Sequence, residues 1–238
     1  FPIADLIIRD PHPGPMALSA AAQGAALNPP EVDLSRAKTV LLAVKPQTWR
    51  DVAAEVSDRL AADAVIVSVA AGVKSADISA AFGGRVVARV MPTTAAAIGR
   101  GTASVFAVDP QARARARALF EPVGAVVDLA DEELMHAATA VSGSAPAYLY
   151  AFVEALEAGG VAAGLTPEAA ASLVRSTMAG AAALMAQSQD PPPELRRQVT
   201  SPGGTTQAAL DVLMGEQGFG PLLRHAVAAA VKRSKELG

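Results

Sequence analysis

Cysteine is absent from this 238-residue chain, and histidine, tryptophan and tyrosine are scarce, at three, one and two residues. Without cysteine the chain forms neither disulfides nor thiolate metal sites, and three histidines far apart in sequence are poor metal ligands, so we expect no metal. No run of about 18 consecutive apolar residues occurs, and we therefore expect no membrane span. A net charge of −3 gives no basic surface, and we expect no nucleic-acid partner.

Small apolar residues are abundant instead, since 51% of the chain is hydrophobic and only 4% is aromatic. Apolar runs typical of buried parallel strands occupy residues 6–8, 39–44, 64–69 and 85–91, and weaker runs occupy residues 103–108 and 124–129. Helical patterns such as residues 48–60 and 110–120 separate these runs. Right-handed crossovers between them predict a parallel, doubly wound sheet in an α/β fold.

The second part of the chain carries helical patterns only. They cover residues 132–159, 166–187, 194–199, 205–214 and 221–237, and Pro146 interrupts the first of them. We predict a dinucleotide-binding α/β domain over residues 1–129 and an all-helical domain over residues 130–238. Ala-rich faces such as residues 179–183 favour packing against a second copy of the chain, with a monomeric core as the alternative.

A dinucleotide-binding fold needs a central first strand followed by a G-x-G-x-x-G turn, and this motif does not occur in the 238 residues. Residues 6–10 behave like the second strand of such a fold, with Asp10 where an adenosine ribose would lie. We therefore expect that the first βα unit is missing, about 25 residues of a ~30-residue unit. The alternative is a different α/β fold that binds no dinucleotide.

Residues 199–206 (VTSPGGTT) precede a helix and form the most informative segment. Pro202, Gly203 and Gly204 predict a turn whose backbone can approach a ligand closely. We expect Thr205 or Thr206 to cap the helix, with free N–H groups at its start. Such a terminus binds carboxylates, although a plain capped helix explains the same residues.

Two further places are candidates for lining a pocket. Ser142 and Ser144 flank the interruption before Pro146, where a kink relieved by serine side chains is the alternative. Lys45 and the Ala70-Ala71 pair follow predicted strands, at the edge where parallel sheets bind ligands. Lys45 either contacts a phosphate there or is simply solvated.

Several segments together resemble pyrroline-5-carboxylate reductases. They are LLAVKPQ, SVAAGV, RVMPTT, AVSGSAPAY, EALEAGGVAAGL, VTSPGGTTQAAL and RSKEL, in family order. The resemblance implies a Rossmann-type domain followed by a helical dimerisation domain. It also implies reduction of 1-pyrroline-5-carboxylate to L-proline by NADPH or NADH, in a cytoplasmic homodimer that assembles further into a ring such as a decamer.

The resemblance assigns roles to individual residues. Thr206 would be catalytic, because its hydroxyl would hydrogen-bond the ring nitrogen and help to supply a proton. The substrate-binding residues it implies are Ser201, Gly203, Gly204, Thr205, Thr206, Gln198 and Glu132. The cofactor-binding residues it implies are Asp10, His12, Asn28, Ala43, Val44, Lys45, Pro46, Val69, Ala70, Ala71, Met91, Pro92 and Thr93.

Three positions depart from the family pattern. Residues 91–95 read MPTTA instead of MPNTP, Ala145 replaces a glycine, and Asp10 stands where relatives often carry serine or threonine. The Asp10 carboxylate would bond ribose hydroxyls and repel a 2′-phosphate, which favours NADH, while Arg9 and His12 would offset the repulsion. The alternatives are a reductase of another cyclic imine or keto acid, and a non-catalytic paralogue that binds ligands or serves as a scaffold.

Overall fold

The computed structural model describes residues 2–29 and 34–236. In these residues the strands are β1 (Ile7–Ile8), β2 (Ala26–Leu27), β3 (Thr39–Leu42), β4 (Val65–Ser68), β5 (Val87–Pro92), β6 (Gly101–Phe106) and β7 (Gly124–Asp128). The helices are α1 (Pro15–Ala22), α2 (Trp49–Val56), α3 (Ser75–Ala81), α4 (Pro110–Phe120), α5 (Leu134–Ala138), α6 (Ala145–Ala162), α7 (Pro167–Gln187), α8 (Pro192–Gln198), α9 (Thr205–Leu213) and α10 (Phe219–Glu236). We call the part up to β7 the α/β half and the part from α5 onward the helical half.

The main sheet has five strands in the order β3-β4-β5-β6-β7. Strands β3, β4 and β5 run parallel, β6 is antiparallel to β5, and β7 is parallel to β6. The sheet is therefore mainly parallel, as predicted, but β6 and β7 run opposite to β3, β4 and β5. Only residues 93–100 connect β5 to β6, and a parallel crossover needs about a dozen residues or more.

Helices cover both faces of the main sheet. Successive residues of a strand point to opposite faces, so neighbouring residues of β4 belong to different cores. Ile66 of β4 belongs to a core that includes Trp49 of α2 and Phe82 beside α3. Its neighbours Val65 and Val67 belong to a second core, which includes residues of α4. The doubly wound α/β architecture predicted from the sequence is thus confirmed.

Strands β1 and β2 form a second, two-stranded parallel sheet with Ile7 opposite Ala26. The sequence predicts β1, which lies in the apolar run 6–8, but it does not predict β2. An ion pair between Arg9 Nη2 and Glu55 Oε1, 2.5 Å long, links this small sheet to α2. Within the described ranges, no strand pairs with the outer edge of β3.

The helical half buries few side chains within one copy of the chain. Helix α5 and the π-helical turn Thr139–Gly143 contribute Met135, His136 and Ala140 to the interior. From α6 to α10, the only buried residue among those described is Ala170. Apolar side chains are left on the outside, in agreement with the expectation of a second copy packed there.

Helix α7 is long and apolar enough to cross a membrane by length and composition alone, which the run-length argument from the sequence does not anticipate. The helix carries Glu168 in its first turn. It also carries Arg175, whose Nε lies 2.9 Å from Glu157 Oε1 of α6. These charges and the contact with α6 favour a helix packed against protein.

Candidate active site

The predicted substrate-binding segment joins α8 to α9 and lies on the surface. Gly203 has a left-handed φ of 70°, which glycine adopts without strain, and the chain then enters α9. The Gly204 N–H donates to the Ser201 carbonyl, 3.1 Å away, and closes the turn. Residues 201–206 are exposed except for Gly204, which is half-buried. A ligand can therefore approach this turn from solvent.

The cap of α9 differs from the predicted one. Gly204, and neither Thr205 nor Thr206, occupies the N-cap position, and no side chain caps the helix. Both threonines already lie inside the first helical turn, so their hydroxyls cannot take the place of the cap. The first backbone N–H groups of a helix have no carbonyl partner within it. The start of α9 therefore presents donors to a carboxylate without a competing side chain.

Gln198 and Thr200 lie at the end of α8, before the turn. The Gln198 side-chain amide donates to Asp190 Oδ2 at 2.9 Å, and the Thr200 hydroxyl donates to the Arg196 carbonyl at 2.6 Å. Gln198 is exposed, and its contact with the substrate stays a prediction. A groove of about 620 Å³ lies on this surface, with lining residues from α8, α9 and the turn.

The carboxyl ends of β3, β4 and β5 form one edge of the sheet, because these strands are parallel neighbours. Predicted cofactor-binding residues that the structure places at this edge are Ala43, Val44, Lys45, Pro46, Val69, Ala70, Ala71, Met91, Pro92 and Thr93. Ala43 and Ala71 are exposed and carry only a methyl group, which leaves the backbone accessible to a flat ligand. Lys45 is exposed, while its carbonyl accepts from the Thr48 N–H and hydroxyl.

Asp10, His12 and Asn28 meet where β1 and β2 end. The Asp10 N–H donates to Asn28 Oδ1 at 2.9 Å, and Asn28 Nδ2 donates to the Asp10 carbonyl at 2.6 Å. The Asp10 carboxylate accepts the His12 N–H at 2.8 Å. The structure thus brings these three predicted residues together. Arg9 beside them is paired with Glu55, which weakens its ability to offset the Asp10 charge.

These residues fit parts of a nicotinamide dinucleotide. Small, exposed residues at the sheet edge suit a nicotinamide ribose, Lys45 suits a phosphate, and Asp10 suits an adenosine ribose. The 238 residues contain no G-x-G-x-x-G turn, and so none of them is assigned to the pyrophosphate. In the ranges 2–29 and 34–236, no group of three or more acidic or histidine side chains could hold a metal ion.

Met91 lies against the π-helical turn, where the two halves meet. A Cβ atom built on Gly143 would be 3.7 Å from the Met91 sulfur. The turn ends at the helix break that the sequence predicts, and Pro146 lies in the first turn of α6. The Ser142 hydroxyl donates to the carbonyl four residues earlier, at 2.7 Å. Single π-helical turns of this kind occur frequently at functional sites.

Glu132 precedes α5 and is bound by two residues of the α/β half. Its Oε1 accepts from the Ser75 N–H at 2.7 Å and from Arg89 Nη1 at 2.8 Å, and its Oε2 accepts from the Ser75 hydroxyl at 2.8 Å. Partial burial by itself raises the pKa of the Glu132 carboxyl, but the hydrogen bonds from Ser75 and Arg89 outweigh it and lower the pKa below its usual value. The carboxylate is therefore charged at neutral pH and engaged within the chain.

Arg89 is a functional candidate that the sequence reasoning misses. It lies in β5 between the buried residues Ala88 and Val90, and its side chain is only 5% exposed. A charged group in a buried strand needs a partner of opposite charge. An arginine inside the apolar run 85–91 is therefore a signal in the sequence that a carboxylate lies opposite, although it does not reveal which one.

The candidate site has two parts, residues 198–206 and the carboxyl ends of the strands, and the hydrogen bonds of one copy do not connect them in the described residues. Residues 198–206 form hydrogen bonds with one another, with residues of α8 and α9 and with Asp190. In the part of the chain that the structure describes, no hydrogen bond joins this segment to the strand ends. Within the described residues, the predicted substrate segment and the strand ends are therefore two separate surfaces.

Comparison with known proteins identifies the family. Residues 132–237 match the family model for pyrroline-5-carboxylate reductase dimerisation. The chain is 41% identical over 204 residues to the pyrroline-5-carboxylate reductase of Synechocystis sp., with 84% of this chain and 75% of that protein covered. The chain belongs to the pyrroline-5-carboxylate reductase family.

Solved members of the pyrroline-5-carboxylate reductase family have the same fold. The enzyme of Coxiella burnetii superimposes with a TM-score of 0.88 at 31% identity, covering 98% of this chain and 88% of that one. The Plasmodium falciparum enzyme, solved with NADP bound, superimposes with a TM-score of 0.80 at 25% identity, covering 99% and 88%. The resemblance that the segments from LLAVKPQ to RSKEL indicate is confirmed.

Proposed function

We propose that the chain is an oxidoreductase that reduces 1-pyrroline-5-carboxylate to L-proline, the last step of proline biosynthesis. The C=N carbon receives a hydride and the ring nitrogen receives a proton, so that the double bond becomes a CH–NH single bond. Reduced nicotinamide, from NADPH or NADH, supplies the hydride when it is bound.

The glycine-capped start of α9, in a member of this reductase family, carries the proposal. Gly203 and Gly204 leave the first amides of α9 open, and the surrounding side chains are small. We assign the substrate carboxylate to the amides of Thr205 and Thr206, with Gly204 and Ser201 beside them. Backbone donors at a helix N-terminus hold such a group without a buried cation.

Thr206 is the residue that we assign to the ring nitrogen. Hydride addition converts an imine into an amine, and a donor at the nitrogen stabilises the transition state as the charge changes. Thr206 is exposed, so water can return the proton that its hydroxyl donates. Thr206 in this role relays a proton and orients the substrate.

Dimerisation completes the site in this proposal. The substrate segment of one copy faces the strand ends of its partner, which accounts for its exposure in a single copy. The exposed apolar helices α6 to α10 form the dimer interface, and dimers assemble further into a ring. We propose residues 1–129 and 130–238 as the two domains, and the cytoplasm as the location.

Activity assays on the purified protein test the proposal. We expect oxidation of NADPH or NADH that depends on pyrroline-5-carboxylate. Thr206→Val, which keeps the shape but removes the hydroxyl, should lower kcat by roughly 100-fold, because acid–base groups contribute about 10²–10⁴-fold. Thr206→Ser keeps the hydroxyl and is the matched control, with kcat within about tenfold of the wild type.

Three results would count against the proposal. Cofactor binding without turnover of any imine would favour a non-catalytic paralogue. Turnover of another cyclic imine or a keto acid, but not of pyrroline-5-carboxylate, would change the substrate. Wild-type turnover by Thr206→Val would remove the Thr206 hydroxyl from the mechanism.

A further inference from the structure

The cluster of Glu132, Arg89 and Ser75 joins three segments that are distant in sequence. Glu132 lies between β7 and α5, Arg89 lies in the middle of β5, and Ser75 is the first residue of α3. Three hydrogen bonds of 2.7 to 2.8 Å connect them through the Glu132 carboxylate. The Arg89 and Glu132 side chains are only 5% and 21% exposed, so solvent screens their attraction weakly.

Each of these segments leads directly into a predicted wall of the nicotinamide site. Ser75 follows the Ala70-Ala71 loop at the end of β4, and Arg89 precedes Met91 by two residues. Glu132 begins the connection to the π-helical turn, whose Gly143 lies beside Met91. One carboxylate thus fixes the loop after β4, the end of β5 and the start of the helical half relative to one another.

A neighbouring ion pair provides a comparison. Lys74 Nζ and Glu133 Oε1 lie 3.8 Å apart, and both side chains are 59% exposed. This pair joins the segments of Ser75 and Glu132, but its side chains lie largely in water. Exposed ion pairs of this kind contribute little to structure, whereas a partly buried carboxylate with several donors holds a defined geometry.

We propose that Glu132 and Arg89 are positioning residues of the reductase, which hold the walls of the nicotinamide site in register through their mutual ion pair and through Ser75. The proposal rests on the proposed function. It replaces the expectation that Glu132 touches the substrate, since both carboxylate oxygens already accept hydrogen bonds from within the chain. The effect on the reaction is indirect and acts through the placement of the cofactor.

Four variants test this role. They are Glu132→Gln, Arg89→Met, the double variant and, as the matched control, Glu133→Gln. We expect Glu132→Gln to lower kcat by roughly tenfold, because a displacement of about 1 Å costs up to about 10²-fold. The dissociation constant of NADPH, measured by fluorescence titration without substrate, should rise, while the KM for pyrroline-5-carboxylate stays within about twofold. Glu133→Gln should match the wild type in all three.

Coupling between Glu132 and Arg89 distinguishes a role in positioning the cofactor from a general contribution to the stability of the fold. If Glu132 and Arg89 act as one unit, the double variant should have the kcat of the slower single variant, and Arg89→Lys should restore part of the rate lost in Arg89→Met. If a variant does not fold, Ser75→Ala removes one hydrogen bond and should show the same pattern with a smaller effect.

Several results would overturn the proposal. Glu132→Gln could lower the melting temperature but leave kcat and the NADPH affinity at wild-type values. The cluster would then stabilise the fold without positioning the cofactor. A rise in the KM for pyrroline-5-carboxylate alone would instead place Glu132 in contact with the substrate. If the wild type binds NADPH but reduces no pyrroline-5-carboxylate, the proposed function fails, and the NADPH affinities of the variants still decide this inference.

Discussion

The α/β half and the helical half of this chain differ in where their apolar side chains lie. In the α/β half, residues such as Ile66, Ile78 and Phe82 are completely buried between the sheet and its helices. In the helical half, Leu184 and Val212 are 70% and 76% exposed. Both halves are rich in apolar residues, but only the first one builds extensive buried clusters of them within a single copy.

This difference teaches that the two halves obtain their stability from different sources. A sheet covered on both faces closes its core with residues of the same chain. Long helices rich in alanine bury their faces only against other helices, and a second copy supplies them in a dimer. The stability of the helical half should therefore depend on protein concentration, whereas that of the α/β half should not.

The largest expected effect comes from the core of the α/β half. Phe82→Ala leaves a cavity in a completely buried site and should lower the free energy of unfolding by about 3–5 kcal/mol. Chemical denaturation at several protein concentrations measures the loss, which should be the same at each of them. Phe82→Leu keeps most of the volume, is the control, and should cost about 1.5 kcal/mol or less. A loss that varies with concentration would contradict a self-contained core.

An intermediate effect is expected at the exposed face of α7. Leu184→Glu places a charge on the proposed interface and should weaken the dimer by about 2 kcal/mol, roughly 30-fold in the dissociation constant. Analytical ultracentrifugation measures the change. Val108→Glu is the control, since Val108 is 82% exposed but belongs to the α/β half. If both substitutions changed the dissociation constant of the dimer equally, the helical half would not be the specific interface.

The smallest expected effect concerns the contact between the halves at low pH. The pKa of Glu132 is lowered in the folded chain, so its stabilisation is present above the ordinary pKa of 4.5 and is lost as the pH falls through the folded value. The free energy of unfolding should therefore fall below pH 4.5 by about 1 kcal/mol more in the wild type than in Glu132→Gln. Parallel pH profiles of the two proteins would contradict this linkage.

Much of the fold can be predicted from the sequence, because the pattern of apolar residues reflects burial. The runs at residues 39–44 and 64–69 correspond to β3 and β4. The helical pattern at residues 166–187 corresponds to α7, where Thr166 caps the helix and accepts from the Ala169 N–H at 3.2 Å. The reversed direction of β6 is not predicted, since a strand pattern carries no information about direction. The length of the connection before β6 would have revealed it.

The candidate site is predictable to a smaller extent. The turn at Gly203 and Gly204 follows from local sequence, because positive φ and an open helix start are local properties. The partners of Glu132 do not, because Ser75 and Arg89 lie 57 and 43 residues away in sequence. Contacts over such separations are set by packing, and only the buried arginine signals in advance that one must exist.

Subunit complementation tests most directly the claim that the site of this reductase forms between two copies. Homodimers of Thr206→Val lack the proton donor, and homodimers of Ala71→Trp block the sheet edge, so both should have little activity. If one copy supplies the substrate segment and its partner the strand ends, mixed dimers contain one intact site and should regain about half of the wild-type rate per dimer. Mixed dimers that form but remain as inactive as their parents would contradict the account.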